Sequence, residues 1–213
     1  VTGFGSGPVP RPIRRPAGYQ DGAVDLRTWI ADEHSSLWGR LHDSVIARVP
    51  TPRWTEHPDH GGSCLAQLLF HVSLHADTAL HAVVLEQAPL IQIWRDRLGL
   101  THLGPHQGMP EAEDPEVVAG VQVDALLDYA AAVHGAMAAW IASADLAQLD
   151  VVPDASHRLR DVGGVSIEAV PWLHAMWTDK PIAWFVQWEC SGHVLNHLGE
   201  MVAVRNRMGL SPF

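Results

Sequence analysis

The sequence predicts an all-α protein built as a four-helix bundle, and three observations carry that reading. Apolar residues recur at three- and four-residue spacing along four long stretches. Prolines and glycines close those stretches. Long connections separate them, and the only strand signals are short, at Val151-Val152 and Val165-Ser166-Ile167.

Residues 1–22 hold Pro8, Pro10, Pro12 and Pro16 among glycines, which forbids a helix and predicts an extended arm lying along the body or along a partner subunit. Residues 23–213 are then the bundle. The first helix runs from Asp25 to about Val49 on Leu26, Trp29, Ile30, Leu37, Trp38, Leu41, Val45 and Val49. Asp25 or Asp21 caps it, and Pro50 and Pro52 end it. Ser63 reads as the cap of a second helix, about 64 to 87, closed by Pro89. The segment IQIWRDRLGL suits a short helix, and a loop follows to Asp114. The third long helix starts at Pro115 or Val121 and ends near Ala142. Residues 150–180 read as irregular, a stretch long enough to suggest a functional lid. The last helix runs from Pro181, at its first position, to Met208, with Gly209 as its stop.

Hydrophobic residues make up 47% of the 213 and charged residues 18%, a balance that folds rather than stays disordered. The net charge of -10 repels phosphate backbones and argues against nucleic acid as a partner. Cys64 and Cys190 are too few for a disulfide scaffold and suit a reducing compartment. No unbroken run of eighteen apolar residues occurs, and the N-terminal stretch lacks the apolar core of a secretory signal. A cytoplasmic protein that does not cross a membrane is expected.

Fourteen histidines are the unusual feature of the composition, and their positions matter more than their number. His193 and His197 stand four apart on the last helix, about 40° apart on one face, which lets two imidazoles reach one ion. A bare pair at that spacing is more often solvated, but this helix is apolar, and a buried neutral imidazole needs a partner. His71 sits inside the apolar run LLFHVSLH of the second helix, and helix bundles build metal sites from facing helices. The expectation is that His71, His193 and His197 converge with ring nitrogens about 2.0–2.2 Å from one divalent ion. His75, one turn on, is the substitute for His71.

The stretches AQLLFHVSLHAD and HVLNHLGEMVAVRNRMGL resemble the DinB/YfiT-like superfamily. The resemblance extends over roughly residues 25 to 210, with only those two segments specific. It implies an up-down-down-up four-helix bundle with a three-histidine metal site, His71, His193 and His197 matching the ligands in order. The best-known members of that superfamily are metal-dependent enzymes using mycothiol or bacillithiol in S-transfer or isomerisation. A related domain carries the iron ligands of ergothioneine sulfoxide synthases, but those enzymes need a second large domain that this chain lacks. Their glutamate also falls two residues after the second histidine, whereas Glu200 is three after His197.

Three imidazoles leave a divalent ion open positions, the layout of a catalytic site. Zn, Ni, Fe or Cu would suit imidazole. Such an ion lowers the pKa of a bound thiol or of water, and the residues do not choose between them. Glu200 is expected to accept an N–H from a ligand or to act as a base, against an ion pair with Arg205 or Arg207. Cys190 is a conceivable fourth ligand, though a buried apolar cysteine is commoner. Trp172, Trp177, Trp184 and Trp188 are candidates for a pocket wall, and core packing is the stronger reading for Trp184 and Trp188. His102, His106, His157 and His174 are expected to be exposed. Three functions compete: a thiol-using enzyme acting on a small molecule, a metal or small-molecule binder without turnover, and a metal-dependent hydrolase. A homodimer stays open.

Overall fold

A computed structural model describes residues 24–57 and 61–212, and among them all regular structure is helical, with no β-strand. The expected arm, residues 1–22, lies outside the described residues.

Helix α1 spans Leu26–Leu41 and opens on Asp25, whose carboxylate accepts from the Thr28 N–H at 3.1 Å. A π-helical turn, His42–Ile46, extends it. Helix α2 spans Leu65–Asp77 and continues into the π-helical Thr78–Val84, and every residue of both is buried. Its cap is Cys64 rather than Ser63, with no side-chain bond of its own. The Glu113 carboxylate accepts from the Cys64 N–H at 2.7 Å instead, a partner 49 residues away that no local pattern predicts.

The short helix α3, Ile91–Leu98, ends on Gly99 at φ +75°, where a left-handed residue turns the chain out of the helix. Both expected starts of the third long helix are real. Pro115–Gly120 forms α4, the chain extends at Val121, and α5 follows over Val123–Ser143. The break is held by the Gln122 N–H donating to the Leu98 carbonyl at 3.0 Å.

Residues 150–180 are irregular only in part, since two short helices interrupt the stretch. A 3₁₀ turn at Leu146–Asp150 leads to α6, Ala155–Asp161, and α7, Pro171–Trp177. No strand forms at Val151-Val152 or Val165-Ser166-Ile167. The Val151 carbonyl takes a single bond from the Ile182 N–H, and no edge lies alongside to extend it into a ladder. The chain then enters α8, Ile182–Trp184, the π-helical Phe185–Gly192, and α9, His193–Arg207, one unbroken helical run. Pro181 caps it from outside, one residue before the expected position. Gly209, at φ +76°, closes it, and the Leu210 N–H returns to the Arg205 carbonyl at 3.2 Å.

Four long segments pack in a closed circuit: α1 on α5, α5 on α2, α2 on α9, and α9 on the π turn that follows α1. Among the described residues, α5 is long and apolar enough to cross a membrane by length and composition alone. Its apolarity is largely alanine, and Leu126, Tyr129, Val133, Met137, Trp140 and Ile141 turn into the protein core.

Asp77 pins the circuit from inside. Its carboxylate is fully buried and accepts from the Leu90 N–H at 2.9 Å, the Ile91 N–H at 2.8 Å and the Tyr129 hydroxyl at 2.7 Å. It also faces His81 Nδ1 at 2.7 Å. One side chain thereby joins α2, the start of α3 and α5. Tyr129→Phe should lower stability by about 1.5–3 kcal/mol, the range for a bond to a charged group, read as a shift in urea midpoint at unchanged slope. Burial alone would lower the His81 pKa, but the bond with Asp77 outweighs it and leaves the value raised above 6.5. A raised folded-state value stabilises below the unfolded pKa and is lost as pH rises through the folded one. The stability difference between wild type and His81→Gln should accordingly be full below about pH 6.5 and shrink above it; a pH-independent difference in urea titrations would contradict this pairing.

Candidate metal centre

Helices α2 and α9 are in contact, so His71 meets His193 and His197 across them. All three rings are buried. His71 Nε2 and His197 Nε2 each lie 3.1 Å from His193 Nε2. Two nitrogens bound to one ion at about 2.0–2.1 Å stand roughly 2.9–3.4 Å apart, for angles between octahedral and tetrahedral. The observed spacing falls inside that range.

The far nitrogens explain which atoms converge. His71 Nδ1 donates to the Gly108 carbonyl at 2.9 Å. His197 Nδ1 donates to Glu200 Oε2 at 3.0 Å. His193 Nδ1 faces Glu189 Oε2 at 3.4 Å, without a well-formed hydrogen bond. A carbonyl only accepts, so His71 carries its proton on Nδ1 and points a bare lone pair at the centre. A proton on His193 Nε2 would satisfy at most one of its two neighbours and leave a lone pair on Nδ1 facing a carboxylate. Every neutral arrangement leaves a repulsion that a cation removes, and the donor set fits a divalent transition metal. Burial, then the nearby His75, pushes the His71 pKa down to about 3, so this ring offers a lone pair rather than a charge.

His75 does not join this trio. Its Nε2 donates to the Met109 carbonyl at 2.8 Å and its Nδ1 lies 3.1 Å from Glu189 Oε2. His75, Glu189 and His193 form a second close group able to hold a cation, sharing His193 with the first. Glu189 is fully buried, and Trp177 Nε1 donates to its other oxygen at 2.7 Å. Burial by itself would raise its pKa; the neighbouring His193 and His75 rings outweigh that and hold it at about 2. Glu189 is absent from the sequence reading, though it stands four residues before His193, the same spacing that drew attention to His197. The Gly108 and Met109 carbonyls had no signal at all, because they arrive on a loop.

Glu200 does not pair with Arg205 or Arg207; its partner is His197, and the side chain reaches solvent at the rim of the cluster. Arg205 turns away to the Ser44 carbonyl. Cys190 is buried outside the cluster, its thiol toward the Ala76 carbonyl at 3.9 Å, and burial pushes its pKa far up. Trp188 lies parallel to His193 at 6.1 Å, half-exposed Trp172 parallel to His75 at 6.3 Å and Trp177 edge-on to His75 at 6.1 Å, so three of the four tryptophans adjoin the histidine groups. Trp184 packs edge-on against Phe185. His102 and His157 are exposed, as expected. His174 is not: it is buried between Ser156 Oγ at 2.7 Å and the Val165 carbonyl at 2.9 Å, tying α6 to α7.

No family model matches the chain, and no curated protein matches it. A crystal structure of a conserved protein from Enterococcus faecalis superposes with a TM-score of 0.63 at 16% identity, covering 88% of this chain and 99% of that one. At that identity the likeness concerns the fold alone.

Replacing His71, His193 or His197 by Ala should abolish stoichiometric binding of Zn or Co in equilibrium dialysis. His75→Ala should keep one ion per chain, and Glu189→Gln should weaken it by about 10- to 100-fold. Loss of the ion in His75→Ala with retention in His71→Ala would move the site to the second group.

Proposed function

We propose that the protein is a metal-dependent enzyme of the DinB/YfiT-like kind, an up-down-down-up four-helix bundle that uses a low-molecular-weight thiol of the mycothiol or bacillithiol type on a small electrophilic substrate. The observation that carries the reading is the convergence of three imidazole Nε2 atoms on one point, each ring turned by an oxygen at its far side. The closed packing of four long helices and the fold of the Enterococcus faecalis protein support the bundle.

His71, His193 and His197 would hold the ion. A divalent ion there supplies electrostatic stabilisation of a thiolate at neutral pH. The chain's own part is orientation. The Gly108 carbonyl, Glu189 and Glu200 fix three rings, and Trp177 fixes Glu189. Glu200, at the solvent edge, aims His197 rather than serving as the main base, since its oxygen is taken by Nδ1. Trp172 and Trp188 wall the approach and keep water from the thiolate. Both cysteines are free and buried, which agrees with a reducing cytoplasmic setting. A second reading, a metal-binding module without turnover, draws on the burial of all three rings.

The test is thiol consumption with a panel of electrophiles, by protein stripped with a chelator and reloaded with Zn, Ni or Fe. Turnover is expected only after reloading. Glu200→Gln should need about 10- to 100-fold more metal, yet recover most of its rate at saturating metal. A fall of about 10²–10⁴ in rate at full loading would make Glu200 the base instead. Equal consumption by stripped protein would refute the metal's role. Ester or amide hydrolysis without thiol would favour a hydrolase, and binding without any turnover the module.

A further inference from the structure

Helix α1 and the last helical run leave a groove of about 490 Å³ between them, the size of a ligand site. One face of α1 forms its first side, from Leu26 through Trp29, Glu33 and Leu37 to Arg40. Those residues cover about 21 Å at the helical rise. Val186 and Leu195 stand on the other side, with Asp150 of the 3₁₀ turn.

The groove is apolar yet open. Trp29 is 54% exposed, Leu195 48% and Leu26 45%, three large side chains in one strip left to solvent. Neither Glu33 nor Asp150 has an ion pair or hydrogen bond among the described residues. Arg40, at the far end, donates to Ser36 Oγ at 3.1 Å. Such a surface suits an occupant that is apolar and carries positive charge.

Two facts say which occupant. The described chain begins at Val24, two residues before Leu26, so the preceding residues join it at one end of the groove. Residues 1–22 also hold Arg11, Arg14 and Arg15 against a single acid, Asp21, in a chain whose net charge is -10. Around those arginines stand Pro8, Val9, Pro10, Pro12, Ile13 and Pro16.

We propose that the groove is the docking site of this chain's own proline- and arginine-rich stretch, residues 8–16, folded back along α1. Nine residues of polyproline II span about 28 Å, enough for the groove. Residues 17–23, with Gly18 and Gly22, supply the reversal. The three-residue period of that form puts Pro10, Ile13 and Pro16 on one edge, for Trp29 and the leucines. It puts Arg11 and Arg14 on the next, for Glu33 and Asp150. Exposed ion pairs are weak singly, but a tether at the groove's end makes the encounter intramolecular. No lining residue belongs to the histidine cluster, so the proposal stands apart from the metal reading.

Trypsin tests it, because prolines after Arg11 and Arg15 leave only the bond between Arg14 and Arg15 open to cleavage in this stretch. In the full-length protein that bond should be cut about tenfold more slowly than in a synthetic peptide of residues 5–23. Charge reversal at two exposed positions, Glu33→Arg with Asp150→Arg, should bring the rate back to that of the peptide. Raised salt should act in the same direction, and dilution of the protein should change nothing. Equal rates in protein and peptide would overturn the proposal. So would protection that survives the double reversal, which puts the stretch elsewhere. Protection lost on dilution would make a second copy the occupant and overturn it too. If the reversed variant misfolds, Glu33→Gln with Asp150→Asn reads the same loss without adding charge.

Discussion

A helix buried on every side must find a partner for each polar group it carries, and α2 carries several. His71, His75, Asp77 and His81 are all buried along it and its π-helical extension. Their needs set much of the surrounding structure. The loop at Gly108 and Met109 lies where it does because two imidazoles require acceptors. Gly108 can come so close because a side chain there would strike Phe70, and its φ of +89° suits only glycine. The start of α3 and the middle of α5 are drawn to Asp77. Gln67 is the exception, with neither amide atom partnered among the described residues.

The same constraint separates two kinds of buried histidine. His75 and His174 have both ring nitrogens on protein partners and tie loops and short helices together. His71 and His197 each have one nitrogen occupied and the other turned to a shared point, where His193 Nε2 meets them. Burial alone does not distinguish these roles. The direction of the second nitrogen does, and it is set by carbonyls and carboxylates outside the imidazoles themselves.

Much of this was legible in the sequence, for identifiable reasons. Helical periodicity and proline stops marked the long helices because they are local properties of the chain. His193 and His197 were visible because four residues bring two side chains to one helix face. His71 stood out only as a polar residue in an apolar run. What escaped notice depends on contacts across the chain. Cys64 takes over the start of α2 because Glu113 reaches it. Glu189 becomes the hub of two histidines and a tryptophan only when α2 and α7 pack beside it. Residues 150–180 looked irregular because helices of seven residues, such as α6 and α7, show too few turns for periodicity to emerge.

The π-helical stretch Phe185–Gly192 ends directly against His193. A wide turn of this kind amounts to a residue inserted into an ordinary helix, and it resets the angular phase of everything beyond it. The apolar face of α8 and the histidine face of α9 are thus clocked independently, although they belong to one rod. A shortening by one residue within that stretch would swing His193 and His197 round by about 100° relative to α8 while leaving their mutual spacing intact. Through this phase offset a length change of a single codon could break up or assemble the histidine cluster without altering any residue that forms it.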